Sequence, residues 1–209
     1  MILSQIEQYW TGRAEGYSQV NQHELETGQD RVWLDEIRRH LPEGALKILD
    51  VGTGPGFFAI LLTKAGYDVT AVDYTEAMLE EAKKNAGALA SSIHFQRMDA
   101  QKLDFPDGYF DVVISRNLTW NLEEPGKAYA EWMRVLKKGG ILLNYDANWY
   151  HHLFDEEKRK EYEEDRKRVE NLHMGDHYTC TDIDAMEDIA RQIPMSRIMR
   201  PAWDVQVLR

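Results

Sequence analysis

Residues 47–57, which read KILDVGTGPGF, constrain the fold more than any other part of the chain. The apolar run at their start has the length of a buried strand, and three glycines in five positions predict a tight turn. The apolar residues from Phe57 onward predict a helix that begins where the turn ends. A strand, a glycine turn and a helix N-terminus together let a ligand approach bare backbone, so this stretch predicts a binding site.

Strand and helix patterns alternate along the middle of the chain. The strands are predicted at 46–51, 68–73, 93–97, 110–115 and 141–145, with a helix between most successive pairs. This alternation predicts an α/β fold, a doubly wound and mainly parallel sheet with helices on both faces. Thr75 is predicted to cap the helix after the second strand, and Lys138-Gly139-Gly140 to turn the chain into the fifth strand.

The two ends of the chain have helical patterns instead. Within a single domain of 1–209, residues 1–41 are predicted to form a helical cap, residues 42–147 the ligand-binding core, and residues 148–209 a helical segment on the substrate side. Charges of both signs alternate at helical spacing over 155–172, which predicts a solvated helix. The last residues, from Asp204, have the pattern of a helix that continues to the end of the sequence.

Charge and cysteine usage limit the classes of partner. The formal net charge of −11 predicts repulsion of nucleic-acid backbones and anionic membranes. The single cysteine, Cys180, permits no internal disulfide and is typical of a reducing compartment, so a cytoplasmic location is predicted. We find neither a secretory signal pattern nor an apolar run of membrane-spanning length.

The glycine turn is compatible with few ligands. A phosphate-binding loop would place a lysine and a hydroxyl residue after the last glycine, where Phe57 and Phe58 stand. A dinucleotide fingerprint would place its third glycine three residues after the second, but the spacing here is G-x-G-x-G. S-adenosylmethionine remains, because it carries no phosphate and needs no anion clamp.

Five segments, in order, resemble those of one enzyme family. They are ILDVGTGPG at 48–56, VTAVD at 69–73, MDA at 98–100 followed by LDFP at 103–106, FDVVISRN at 110–117, and LKKGG at 136–140. The chain closely resembles class I S-adenosylmethionine-dependent methyltransferases, especially their small-molecule branch. The resemblance covers roughly residues 46–145.

This resemblance implies S-adenosylmethionine as the cofactor and assigns roles to residues. Asp73 would accept from the ribose hydroxyls, Asp50 would hold the ammonium group, and Asp99 and Ala100 would contact the adenine. Asp73 could instead cap the following helix, and Met78 could be ordinary packing. The other predicted cofactor-binding residues are Tyr9, Arg13, Tyr17, Gly52, Thr53, Gly54, Gly56, Tyr74, Met78, Arg116 and Asn117.

The methyl acceptor is expected at the carboxyl edge of the fourth and fifth strands, where ligands of such sheets bind. The predicted substrate residues there are Trp120, Asn121, Asp146, Asn148 and Tyr150. His151 and His152 are the candidate general bases, needed only if the nucleophile must lose a proton early. Packing is the alternative role for each of these side chains.

A second cluster, His173, Asp176, His177 and Cys180, has residue types that bind zinc. Gly175 disrupts a helix between the two histidines, and no second cysteine pair supports a structural site. The sequence therefore predicts no metal.

The leading hypothesis is transfer of a methyl group from S-adenosylmethionine to an O, N or C nucleophile of a small molecule by in-line displacement. The alternatives are methylation of protein or tRNA, or a non-catalytic domain that binds the cofactor. Related enzymes usually complete the sheet with two more strands after a helix like the one near Asp204, and the sequence stops before them. We expect either that the chain is truncated or that the sheet has five strands. An edge left open in this way would favour a homodimer.

Overall fold

A computed structural model describes residues 2–171 and 181–209 of the chain. One parallel sheet has the strand order β3-β2-β1-β4-β5, which confirms the predicted doubly wound α/β fold. Because the order reverses between β1 and β4, the carboxyl ends of these strands open a crevice. The strands are β1 Lys47–Val51, β2 Asp68–Asp73, β3 Ile93–Arg97, β4 Phe110–Arg116 and β5 Leu136–Tyr145.

Helices cover the sheet and continue beyond it at both ends of the chain. In chain order they are α1 Ile2–Glu26, α2 Gln29–Arg38, α3 Phe57–Lys64, α4 Glu76–Ala86, α5 Pro125–Val135, α6 Glu156–Asn171, α7 Ile183–Ala190 and α8 Ala202–Val207. None of the helices in the described part of the chain is both long and apolar enough to cross a membrane.

The sheet separates two hydrophobic cores because successive residues of a strand point to opposite faces. Ile48 packs on one face with α3, while Leu49 packs on the other with Trp132 of α5. A third cluster joins Ile6 of α1 to Met186 of α7. This third core brings the two ends of the chain together over the carboxyl edge of the sheet.

One local prediction is wrong, and another is confirmed only in part. No turn separates α5 from β5, which begins at Leu136; residues 137–140 instead bulge where the register shifts between Phe110 and Val112. Thr75 is the N-cap residue of α4 as predicted, but its side chain makes no capping hydrogen bond. The bulge depends on pairing with β4, which local sequence does not specify.

Candidate active site

A cavity of about 420 Å³ lies at the carboxyl ends of β1, β2 and β4, beneath α1. Most of the residues predicted for cofactor and substrate line it. They are Tyr9, Arg13, Tyr17, Asp50, Gly52, Thr53, Gly54, Asp73, Tyr74, Met78, Asp99, Ala100, Arg116, Asn117, Trp120, Asn121 and Tyr150.

The first two glycines of the turn open its backbone to the cavity, while the third does not line it. Gly52 has φ 69°, and a Cβ there would lie 2.6 Å from Leu118 Cδ2. Gly56, with φ 90°, faces α4, where a Cβ would meet the Cβ of Ala82 at 3.0 Å. Gly56 thus permits close helix packing, so its prediction as a cofactor contact is not supported by its position.

Asp73 connects the end of β2 to the glycine turn. Its Oδ2 accepts from the Gly54 N–H at 2.9 Å, and its Oδ1 accepts from the Thr75 N–H at 2.9 Å. Burial raises the pKa of Asp73 to about 6, which these hydrogen bonds to the carboxylate oppose. The side chain therefore binds both the glycine turn and the residue before α4, and it also lines the cavity.

Asp50 lies deeper, at the end of β1, and is only 2% exposed. Thr53 Oγ1 donates to its Oδ2 at 2.6 Å. Burial raises the pKa of Asp50 to about 7, although the hydrogen bond from Thr53 opposes the shift. A cation bound beside this carboxyl would favour its charged form.

Asp99 and Ala100 follow β3 and are held by their neighbours. Asp99 Oδ1 accepts from the backbone N–H of Gln101 at 2.9 Å, and the Ala100 carbonyl accepts from Trp132 Nε1 at 2.9 Å. Gln101, which we did not predict, also accepts from the Glu124 N–H at 2.6 Å. The segment after β3 is therefore fixed against α5 and the loop before it.

Helix α1 closes the cavity and is tied to the sheet by an ion pair. Arg116 donates to Glu24 from both terminal nitrogens, at 3.0 and 2.6 Å, and its guanidinium lies 4.7 Å from the Trp33 ring centroid. Glu24 lines the cavity and was missed in the sequence. Continuing the helical spacing of Tyr9, Arg13 and Tyr17 for two more turns would have found it.

Four aromatic side chains, Trp10, Tyr17, Trp120 and Tyr150, form what we call the aromatic wall. Tyr17 and Trp10 have ring centroids 5.6 Å apart, Trp10 and Trp120 6.4 Å, and Trp120 and Tyr150 5.1 Å. A Cβ on Gly54 would lie 3.7 Å from Tyr17 Cε1. The wall thus runs from the glycine turn to the loop after β5.

The remaining predicted residues lie outside the cavity lining. Asp146 and Asn148 bind Arg200, with an Asp146–Arg200 distance of 2.6 Å. His152 stacks on Tyr162 at 4.1 Å, and burial lowers its pKa. His151 and His152 belong to a short helical turn packed against α6, so their positions do not support the predicted role of general base.

The residues of the histidine and cysteine cluster, His173, Asp176, His177 and Cys180, lie outside the described residues. Within the residues that the structure does describe, no group of three or more histidine, cysteine or acidic side chains is arranged to hold a metal ion.

Residues 49–144 match the family described as "Methyltransferase domain". The sheet order, the glycine turn and the acid at the end of β2 agree with this match. This part of the chain is therefore similar to a methyltransferase family, in agreement with the resemblance predicted over roughly residues 46–145.

Two relatives and one solved structure illustrate the likeness. The chain is 38% identical over 125 residues to a demethylmenaquinone methyltransferase of Deinococcus radiodurans, an alignment covering 57% of this chain and 51% of that one. It is 36% identical over 123 residues to a ubiquinone/menaquinone biosynthesis C-methyltransferase of Desulfotalea psychrophila, covering 57% and 49%. The chain therefore spans about half the length of these curated relatives.

A putative S-adenosyl-L-methionine-dependent methyltransferase of Methanococcus maripaludis shares the fold. The two structures align with a TM-score of 0.59 over 88% of this chain and 84% of that one, at 20% identity. This structural likeness covers a larger part of the chain than either sequence alignment, each of which covers 57%.

Proposed function

We propose that the protein transfers a methyl group from S-adenosylmethionine to a small planar acceptor of the quinol type. One observation carries the proposal: a single cavity contains both the glycine turn with Asp73 and the aromatic wall. The first part suits a nucleoside with an amino acid tail, and the second suits a flat ring.

The chain offers a matching group to each part of the cofactor. Asp73 would accept from the ribose hydroxyls, and Asp99 with Ala100 would bind the adenine beside Met78 and Tyr74. Gly52 and Gly54 leave room for the methionine portion, whose ammonium group would pair with Asp50. Remaining predicted contacts, which lie on or beside α1 and after β4, are Tyr9, Arg13, Tyr17, Thr53, Arg116 and Asn117.

When bound, S-adenosylmethionine supplies a methyl group already activated by a sulfonium. The residues of this chain then have to place an acceptor in line and exclude water. Aromatic faces tolerate positive charge, so Trp10 and Tyr17 can lie close to the sulfonium side. Three acids of the cavity already have partners: Asp50 with Thr53, Asp73 with the glycine turn, and Glu24 with Arg116.

The acceptor end is formed by Trp120, Asn121 and Tyr150. A quinol ring fits the wall by offset or edge-to-face stacking, and its own hydroxyl oxygen activates the ring carbon. The two sequence relatives support this class of acceptor, because one is named a demethylmenaquinone methyltransferase and the other a ubiquinone/menaquinone biosynthesis C-methyltransferase. The ring carbon would form its bond to the methyl group as the bond from sulfur to that methyl breaks, and the proton on the same carbon would then leave to restore the aromatic ring.

The test uses calorimetry followed by label transfer. Heat on titration with S-adenosylmethionine is expected, and folded protein that gives none would overturn the cofactor assignment. The protein is then incubated with methyl-labelled cofactor and 1,4-dihydroxynaphthalene, with 1,4-cyclohexanediol as the non-planar control. Label in the naphthalene product alone supports the proposal.

The alternatives give different results. Label in added protein or tRNA, with none in the small acceptor, would favour a macromolecular substrate. Binding heat with no labelled product in any fraction would favour a non-catalytic binding domain.

We also propose that the protein acts in the cytoplasm, without nucleic acid or membrane partners, and that it forms a homodimer. The net charge of −11 supports the first part. In the described chain β5 pairs only with β4, and its residues Ile141–Leu143 remain half-exposed, which supports the second. Sedimentation of a monomer at micromolar concentration would rule out the dimer.

A further inference from the structure

The acceptor end of the cavity rests on a buried group of charges that the proposed chemistry does not use. We call Asp146, Arg200 and Asp204 the Arg200 cluster. The side chains of Asp146 and Arg200 are 0% and 8% exposed, and that of Asp204 is 12% exposed. Removing charged groups from water costs free energy even when they are paired, so a buried cluster of this kind points to a specific role.

Asp146 holds both tryptophans of the acceptor end. Its Oδ2 accepts from the Trp120 backbone N–H at 2.9 Å, and its Oδ1 accepts from Trp149 Nε1 at 3.2 Å. Both tryptophans line the cavity. The Trp120 ring is fixed further because its Nε1 donates to the Asn117 carbonyl at 2.9 Å. One carboxylate thus holds the backbone of Trp120 and the ring of Trp149, two residues that an acceptor would meet.

Arg200 in turn holds Asp146. Arg200 Nη1 lies 2.6 Å from Asp146 Oδ2, and Nη2 donates to Asp204 Oδ1 at 2.7 Å. Asn148 closes the arrangement from the same loop as Asp146: its Oδ1 accepts from the Arg200 N–H at 3.0 Å, and its Nδ2 donates to the Arg200 carbonyl at 3.2 Å. The planar, forked guanidinium suits pairing with two carboxylates at once.

The cluster is also anchored to the sheet. Tyr129 of α5 donates its hydroxyl to Asp204, and Asn144 of β5 donates to the Tyr129 oxygen at 2.8 Å. Arg200 therefore lies between α5 with the sheet on one side and the loops that carry the two tryptophans on the other.

We propose that Arg200 is a positioning residue for the acceptor: by pairing with Asp146 it fixes Trp120 and Trp149 at the acceptor end of the cavity. This role rests on the proposed function, since it assumes that an acceptor binds between the two tryptophans. It also explains why Asp146, predicted to touch the substrate, lies behind the cavity lining instead.

The test replaces Arg200 in full-length protein labelled with 5-fluorotryptophan, whose six tryptophans give separate ¹⁹F signals. The Trp120 and Trp149 signals are assigned from W120F and W149F. Arg200→Met should shift and broaden both signals, and Arg200→Lys should move them less because it restores a cation. Arg197→Met is the matched control, since Arg197 is an exposed arginine of the same segment that stacks on Phe154.

Unchanged Trp120 and Trp149 signals in Arg200→Met would overturn the proposal. If that variant does not fold, Arg200→Gln decides, because it removes the cation but keeps a polar side chain: signals identical to wild type in it would overturn the proposal equally. A kinetic measurement with 1,4-dihydroxynaphthalene should show at least a tenfold loss of kcat/KM in Arg200→Met, mainly through KM, with rescue by lysine. If the wild-type protein gives neither binding heat nor label transfer, the proposed function is wrong. The ¹⁹F signals would still show whether Arg200 fixes Trp120 and Trp149.

Discussion

Replacing Asp73 tests the assignment of the cofactor site most directly. Asp73→Ala would remove both oxygens that line the cavity and leave the N–H groups of Gly54 and Thr75 without their partner. Hydrogen bonds to charged groups contribute about 1.5–3 kcal/mol each, so two lost ribose contacts correspond to at least about 3 kcal/mol. Since 1.4 kcal/mol is tenfold in affinity, the Kd for S-adenosylmethionine should rise by roughly two orders of magnitude.

Asp73→Asn provides an intermediate case, because the amide keeps one acceptor oxygen and loses the charge. We expect a loss of roughly one order of magnitude. Asp68→Asn is the matched control: Asp68 is an exposed acid at the other end of the same strand. Its removal should leave the Kd unchanged.

The assay is isothermal titration calorimetry at pH 8, well above the pKa of about 6 that burial gives Asp73. Thermal unfolding checks that each variant is folded. If Asp73→Ala is folded and binds S-adenosylmethionine with wild-type affinity, Asp73 does not bind the ribose. The prediction that the end of β2 contributes to the cofactor site would then be refuted as well.

Three further predictions concern stability. Burial raises the pKa of Asp50 to about 7 in the folded protein, so the carboxyl ionises at lower pH in the unfolded chain and its contribution to stability is lost as pH rises. Between pH 5.5 and 8 the free energy of unfolding of the ligand-free protein should fall by about 2 kcal/mol more than that of Asp50→Asn, measured in paired denaturant titrations. The same pH dependence in both proteins would contradict this. Gly56→Ala should cost at least about 1 kcal/mol more than Gly66→Ala, because both positions have positive φ but only Gly56 meets a neighbour, Ala82; equal losses would disprove the packing role. Trp132→Ala should lower the free energy of unfolding by about 3–5 kcal/mol, since the ring is fully buried between α5 and the sheet; a loss below 1 kcal/mol would place that core elsewhere.

The core of the fold could be predicted from sequence because its signals are local. Buried parallel strands are continuous apolar runs, and a glycine turn that ends such a run is specified by its own backbone requirements. Asp73, at the end of the second run, follows from the same register. The bulge at the start of β5 could not be predicted, because residues 137–140 depart from strand pairing only in relation to Asp111 on β4.

The sequence by itself determined the parallel sheet, the glycine turn, and the acids that line the cavity. Only the tertiary structure decided which polar residues after β5 reach the cavity. Tyr150 does, while Asp146 is turned away by Arg200, which lies more than fifty residues further along the chain. Glu24 likewise gains its role from Arg116 across the site. The periodicity of a sequence shows which side of an element is buried. It does not show which distant charge will be paired there, as Arg200 is with Asp146.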